Sequence, residues 1–397
     1  MRALVLAEYY PRAEDPALGI WAHRQTLAAR EAGAEVRVLV LHRPLPALAA
    51  LRALDVAAIR GSMRQPRAAV LDGIEVEYLR YLSPPRPWSY ASWGAWAAPW
   101  LRRALARLRD EFRFELIHAH YAVPAGDAVR RVVPEVPLVV SVHGSDVHEV
   151  HADSTAVHRT LSHARIVLAN SAGTARRCAE RGAHVTRVVH LGADLPPEPP
   201  PRAAVAPMPP TLVTVGNLVA RKRHVDVISA LAALRESHPE LRYVIVGDGP
   251  ERDRLRAHAA ALGVADRVEL RGALPHDRAV AAAQSATLFV LPSVAEAFGV
   301  AYVEAMAGGV PAIGTRGEDG PEEIAAAGGG IALVPPRDPA TLAGEIEALL
   351  GDPGRLLALG RTARATVERE FSWRRCGEQT VAAYAEALDG RRQRPRC

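Results

Sequence analysis

Two acidic residues in the second half of the chain sit where carboxylates can grip a polyhydroxylated ligand. Glu296 and Glu304 belong to the run Pro292-Ser-Val-Ala-Glu-Ala-Phe-Gly-Val-Ala-Tyr-Val-Glu-Ala-Met-Ala-Gly-Gly-Val-Pro311, a Glu-x7-Glu spacing. The apolar segment Leu288–Leu291 before it reads as a strand, and a helix is predicted from about Phe298-Gly299. Glu296 then lies in the loop before the helix, and Glu304 lies well inside it. The amides of Phe298, Gly299 and Val300 face a bound anion, because the first N–H groups of a helix lack internal acceptors. A carboxylate accepts two hydroxyl hydrogen bonds at once, which suits it to the diols of a sugar or a ribose. A capping Glu and a surface Glu would account for the two acids separately, but not for the Gly308-Gly309-x-Pro311 stop.

The segment Val215-Gly-Asn-Leu-Val-Ala-Arg221-Lys222 also follows a strand and opens a helix. Gly216 permits a tight turn, and Arg221 and Lys222 sit where a helix start already favours anions. This is phosphate-binding logic without the Gly-x4-Gly-Lys-Ser/Thr pattern of a P-loop. Of the 49 Lys and Arg residues, Lys222 is the single lysine. A compact ammonium and a planar guanidinium are not interchangeable between phosphate oxygens.

Three other groupings compete for a role. Seven of the 15 histidines fall between His118 and His163, and His118, His120, His143 and Asp146 have the residue types of a metallohydrolase. That metal-dependent hydrolase is the alternative reading of the chain; a core role for these histidines is the plainer one. Gly247-Asp-Gly249 after an apolar run invites a dinucleotide site, but the third glycine is missing because residue 252 is Arg. Four of the 6 tryptophans lie between Trp88 and Trp100, ahead of Arg102, Arg103, Arg107 and Arg109. Trp93, Trp96 and Trp100 would share one helical face beside those cations, as in peripheral membrane contact, unless they pack inward or line an acceptor pocket.

The elements that must position these residues alternate between apolar runs and helical stretches, the pattern of parallel sheets wrapped by helices. Candidate strands are Ala3–Ala7, Val36–Leu41, Glu115–Ala119, Leu138–Val142, Ile166–Ala169 and Val188–His190. After a Pro-dense stretch come Thr211–Val215, Tyr243–Val246, Val268–Leu270, Leu288–Leu291 and Val310–Ile313. The expected organisation is an α/β first domain over 1–194, a linker over 195–210, a second doubly wound α/β domain over 211–370, and a C-terminal helix and tail over 371–397 crossing back to the first. Ligands of such sheets bind beyond the carboxyl ends of the strands, so a substrate cleft between domains is expected.

Length and composition agree. The 397 residues are enough for two cores, and 49% hydrophobic with 23% charged residues is globular usage. A net charge of +5 without aromatic-interleaved basic stretches argues against a nucleic-acid partner. Three dispersed cysteines argue against a disulfide framework. With no leader-like start and no membrane-spanning run, a soluble cytoplasmic protein is expected.

Gly216…Arg221-Lys222 together with Glu-x7-Glu inside "EAFGVAYVEAMAGGVPAIGT" resembles the retaining glycosyltransferases of family 4, which have the GT-B fold of two Rossmann-like domains facing a central cleft. The resemblance implies transfer of a sugar from a nucleotide-diphosphate sugar, a co-substrate, with no cofactor or metal. The acceptor would be a carbohydrate, a lipid-linked glycan or a small molecule, at the inner face of a membrane if the Trp88–Arg109 segment binds one. Arg221 and Lys222 would hold the diphosphate, Glu296 the donor sugar, Glu304 the ribose, and the amides of Phe298, Gly299 and Val300 the β-phosphate and sugar. Arg271-Gly272 would sit by the base. In the first half, "HAHYAVPAG" and "VHGSDV" resemble family segments, so His143 would contact the donor sugar with Asp146 orienting nearby groups. Pro16-Ala-Leu-Gly19-Ile resembles the family's glycine loop, with Gly19 near the phosphates. "HLGADL" resembles the pre-hinge turn at Gly192. Position 217 is Asn where many members carry Arg.

Overall fold

The structure, a computed structural model, describes residues 1–44, 56, 64–86, 89–148, 153–197 and 209–389. Trp88, residues 198–208 of the Pro-rich stretch and the tail 390–397 lie outside the described residues. The chain divides into two compact units, Met1–Leu191 with Trp373–Cys397, and Gly192–Ser372.

The first unit is built on β1 (Arg2–Ala7), β2 (Glu35–His42), β3 (Ala68–Leu71), β4 (Ile74–Arg80), β5 (Leu116–His120), β6 (Leu138–Val142), β7 (Ile166–Ala169) and β8 (Thr186–Val188), ordered β3-β4-β2-β1-β5-β6-β7-β8. β3 runs antiparallel to β4 and the other pairs are parallel. The central strands are apolar throughout because both faces are covered. Leu4 and Leu6 enter one cluster with the helix Trp93–Phe112, while Val5 and Ala7 enter the opposite one, as strand alternation requires. The helix Trp373–Asp389 packs on Ile20–Glu31 so closely that a Cβ on Gly377 would lie 2.1 Å from the Ala28 carbonyl oxygen.

The second unit has β9 (Thr211–Val215), β10 (Arg242–Val246), β11 (Val268–Gly272), β12 (Leu288–Val290), β13 (Ala312–Thr315) and β14 (Ile331–Val334), all parallel, ordered β11-β10-β9-β12-β13-β14. This is the doubly wound order, whose direction of winding reverses between β9 and β12. Both chemistry-bearing segments of this unit start at the carboxyl ends of those two strands.

Some elements differ from expectation. The β3–β4 hairpin and β14 were not anticipated; β3 is a short edge strand with alternate residues exposed. β13 begins at Ala312 rather than Val310, because Val310 N–H bonds back to the Ala305 carbonyl and closes the preceding helix. β8 covers Thr186–Val188, earlier than Val188–His190. The tryptophans do not share a face. Trp93 is buried and its indole N–H bonds the Pro84 carbonyl and Ser89 Oγ, both at 3.0 Å, whereas Trp96 and Trp100 are 49% and 43% exposed. The stripe Ala97, Leu101, Leu105 and Leu108 decides which side of that helix faces the sheet.

Candidate active site

In the second unit, Lys222 and Glu296 meet at the point where the winding reverses. Lys222 belongs to a one-turn helix, Ala220–Lys222, after β9; Glu296 belongs to the loop after β12. The Val294 amide bonds the Arg221 carbonyl at 2.8 Å, which ties the two loops together. Lys222 Nζ then donates to Glu296 Oε2 at 2.5 Å, with Arg221 Nη1 3.7 Å from the same oxygen. Ser293 Oγ donates to it as well, at 2.9 Å, and Glu318 accepts the Glu296 amide at 2.8 Å. Glu296 is 8% exposed. Burial raises its pKa, but Lys222, Arg221 and Ser293 outweigh burial and leave it below the ordinary value, so it is ionised. The lysine donates one of its three N–H bonds here, and two remain for an anion.

The helix Val300–Ala307 follows, capped by Gly299 at φ 83. A Cβ on Gly299 would lie 2.5 Å from the Tyr302 ring, and Tyr302 Oη donates to the Leu291 carbonyl, so the turn from strand to helix is pinned. Ala295 is also left-handed, at φ 55, an uncommon conformation for a residue with a side chain and one that clusters at functional loops. The amides of Phe298, Gly299 and Val300 thus open a helix of the required length at the required strand end. A Cβ on Gly216 would make only an ordinary 3.7 Å contact with Lys222 Cε, so the lysine stem lies directly over this residue.

The more distant expected residues are differently placed. Glu304 is 15% exposed, with Oε1 3.5 Å from His276 Nε2. Arg271 lies on the edge strand β11, 40% exposed, and its guanidinium is gripped through two contacts by Glu269 at 2.9 and 3.1 Å. Gly272 accepts the Gly247 amide at 2.8 Å. Asn217 contributes its carbonyl to the buried His224 at 3.4 Å.

Glu318 and Ser293 carry no motif signal in the sequence, and the glycines of Gly247-Asp-Gly249, where the dinucleotide fingerprint is broken, have a packing role. A Cβ on Gly247 would stand 2.0 Å from the Gly216 carbonyl oxygen, so this glycine serves packing under the Gly216–Lys222 loop. The signal for Glu318 was its position in a Gly-rich turn directly after β13, at the same end of the sheet.

The first unit repeats the pattern with different chemistry. Gly19, at φ 65, caps the helix Ile20–Glu31, and a Cβ there would lie 2.2 Å from the Tyr9 carbonyl. His143 Nε2 and His120 Nδ1 are 2.9 Å apart with ring planes within 5°. Burial pushes His143 down to about 3, and pushes His118 down to about 3 with help from His143, so both rings are neutral at physiological pH. Asp146 accepts the Ala122 amide at 2.8 Å and the His143 amide at 3.4 Å, which positions the His143 loop.

The four residues of the metallohydrolase alternative lie near one another but are not arranged as metal ligands. His118 uses both ring nitrogens, on Tyr384 Oη at 2.7 Å and Ser141 Oγ at 2.8 Å, and Asp146 spends its oxygens on backbone amides. Among the described residues no group of three His, Cys, Asp or Glu side chains has metal-holding geometry.

The "Glycosyltransferase Family 4" model matches residues 18–196, and the "Glycosyl transferases group 1" model matches residues 200–366. The GDP-mannose-dependent alpha-(1-6)-phosphatidylinositol monomannoside mannosyltransferase of Mycolicibacterium smegmatis is 30% identical over 317 residues, 74% of this chain and 81% of that protein. Sucrose-phosphate synthase from Thermosynechococcus elongatus has the same fold, with a TM-score of 0.77 at 20% identity over 98% of this chain and 100% of that one. Anabaena HepE, solved with UDP and glucose, gives 0.71 at 20% identity over 97% and 99%. With both halves matched in order and a relative of this identity spanning most of each chain, the protein belongs to the family 4 type of glycosyltransferases, built on the GT-B fold.

Proposed function

We propose that the enzyme transfers a sugar from a nucleoside-diphosphate sugar to a hydroxyl acceptor with retention at the anomeric carbon. The observation that carries this reading is the Lys222–Glu296 pair beside the start of the Val300–Ala307 helix. The bond from the anomeric carbon to the diphosphate breaks, the acceptor oxygen bonds that carbon, and the acceptor proton passes to the departing phosphate oxygen. Arg221, the free N–H bonds of Lys222 and the amides of Phe298–Val300 face the growing negative charge. Glu296, fixed as a carboxylate, and the neutral His143 orient the sugar, and Glu304 takes the ribose. Charge on the leaving group is met by side chains and amides, so no divalent metal is needed. The mannosyltransferase relative is named for GDP-mannose and HepE was solved with UDP; both favour a nucleoside-diphosphate donor without choosing the base.

A thermal-shift series with UDP, GDP and ADP tests the donor class. The correct nucleotide at 100-fold its Kd should stabilise the protein by about 2.7 kcal/mol; no shift with any of them would count against the assignment.

Glycan or glycolipid synthesis in the cytoplasm, at the inner face of a membrane, fits two exposed tryptophans, Trp96 and Trp100, next to Arg102 and Arg103, which have no acidic partner among the described residues. Arg107 and Arg109 are not part of that surface, being paired with Glu77, Glu111 and Glu135. No helix among the described residues is long and apolar enough to cross a membrane. Co-sedimentation with anionic vesicles at low salt should fall in the Trp96→Ala/Trp100→Ala protein, and a wild-type chain that stays in the supernatant would remove this contact.

A further inference from the structure

Two histidines of the first unit share one hydrogen bond, and its direction decides what His143 can offer a sugar. His120 closes β5 and His143 follows β6, the neighbouring strand, which brings His120 Nδ1 and His143 Nε2 to 2.9 Å. The ring planes lie within 5° of each other with ring centres 5.2 Å apart, so the rings meet edge to edge in nearly one plane. Burial pushes His120 well below its ordinary pKa, helped by His118 and His143, and burial does the same to His143. Both rings are therefore neutral, and each carries one proton. One of these protons occupies the shared bond. The other must sit on an outer nitrogen, His143 Nδ1 or His120 Nε2, and among the described residues neither of these buried atoms has a hydrogen-bond partner.

The surroundings favour His143 Nδ1. His120 is 0% exposed, and its neighbour His118, ring centre 4.5 Å away, spends both nitrogens on Tyr384 Oη and Ser141 Oγ. An N–H on His120 Nε2 would stay without an acceptor in every state of the enzyme, a costly arrangement for a buried donor. His143 is half-buried at the strand end, so an N–H on its Nδ1 lacks an acceptor only until a substrate hydroxyl supplies one. The indole N–H of Trp21, whose ring centre is 6.2 Å from that of His143, has no partner either. A bare Nδ1 would be an acceptor beside it, yet no hydrogen bond joins the two. We propose that His120 is a positioning residue: its Nδ1–H donates to His143 Nε2 and holds His143 as the tautomer with the proton on Nδ1, a fixed donor to an oxygen of the donor sugar. With its one lone pair taken by His120, His143 cannot serve as a base. This assignment rests on the transferase reading above, and within it the acceptor's proton is left to the departing phosphate.

Two-bond proton–nitrogen correlation spectra of the full chain with isotope-labelled histidine test it, His143 being identified by the signals missing from His143→Gln. At neutral pH both His120 and His143 should show a protonated Nδ1 and a bare Nε2. His120→Leu should release His143 to the other tautomer and lower transfer about tenfold, the worth of one hydrogen bond, with the nucleotide thermal shift unchanged. His120→Asn, which can place an amide N–H where Nδ1 stood, should restore the tautomer and part of the rate. A protonated Nε2 on His143 in the wild type, or a His143 tautomer that His120→Leu leaves unchanged, would overturn the proposal. The wild-type spectrum decides the matter even where His120→Leu fails to fold. A protonated Nδ1 together with full transfer by His143→Gln would strike the sugar contact of the transferase reading and leave the tautomer assignment standing.

Discussion

Lys222→Met should lower kcat about 100- to 1,000-fold, the range seen when one charge-stabilising donor is lost from a reaction centre. It should also destabilise the fold. Lys222 and Glu296 are 12% and 8% exposed, and removing one partner of a buried pair costs about 3–5 kcal/mol. Arg221, 3.7 Å away, keeps the loss near the lower end. The pH dependence separates this from a general packing defect. In the wild type the Glu296 pKa is depressed below 4.5, so its contribution is present above that value and fades as pH falls through the folded pKa. Without Lys222 the strongest lowering influence disappears and burial carries the pKa upward. The stability gap between variant and wild type in urea denaturation should therefore narrow from pH 7 to pH 4. A gap that stays constant would mean that the pair is not what was broken. Lys222→Arg keeps the charge, yet should still slow transfer, since a guanidinium cannot occupy the ammonium's place between Glu296 and a phosphate oxygen.

Gly247→Ala should cost about 3 kcal/mol or more and weaken donor binding at least tenfold. Its φ of 144° is one that residues with a Cβ rarely adopt, and the added carbon would collide with the Gly216 carbonyl, 2.0 Å away. Backbone cannot rotate aside as a side chain can. The displaced strand end would push on the loop that carries Arg221 and Lys222, which it holds through Gly216 N–H on Val246 and Leu218 N–H on Asp248, at 2.9 and 3.0 Å. Gly263→Ala is the control. That glycine is also left-handed, at φ 69, but nothing lies within 4 Å of its would-be Cβ, so only the conformational cost of about 1–2 kcal/mol remains. Denaturant midpoints and nucleotide thermal shifts of the two variants read the difference directly. Equal losses in both would show that the Gly247–Gly216 contact carries no weight.

The parts of the site legible in the sequence are those carried by one segment. Gly216 to Lys222 and Glu296 to Val300 each follow a strand and open a helix, and local patterning is enough to say so. That Lys222 and Glu296 share a hydrogen bond depends on β9 and β12 being neighbours in the sheet, although 74 residues separate the pair. Such pairing leaves little local trace. The same limit explains the readings that the sequence left open or got wrong. His118 has the spacing of a metal ligand, but its fate is decided by Tyr384, 266 residues away. Gly247-Asp-Gly249 has two glycines of a dinucleotide fingerprint because a backbone passes close by, not because a phosphate does. Trp93 cannot be told from Trp96 and Trp100 by periodicity; Pro84 and Ser89 draw its indole inward.

The most direct measurement is the anomeric configuration of the product together with its dependence on Glu296. Purified enzyme, an α-linked nucleoside-diphosphate sugar chosen by the thermal-shift series and a hydroxyl acceptor it accepts should yield nucleoside diphosphate and an α-linked product in equal amounts, read by proton NMR in the presence of EDTA. Glu296→Ala should abolish both signals while the protein remains folded. A β-linked product, a requirement for added metal, or full turnover in the Glu296→Ala protein would contradict a retaining transfer anchored on the Lys222–Glu296 pair.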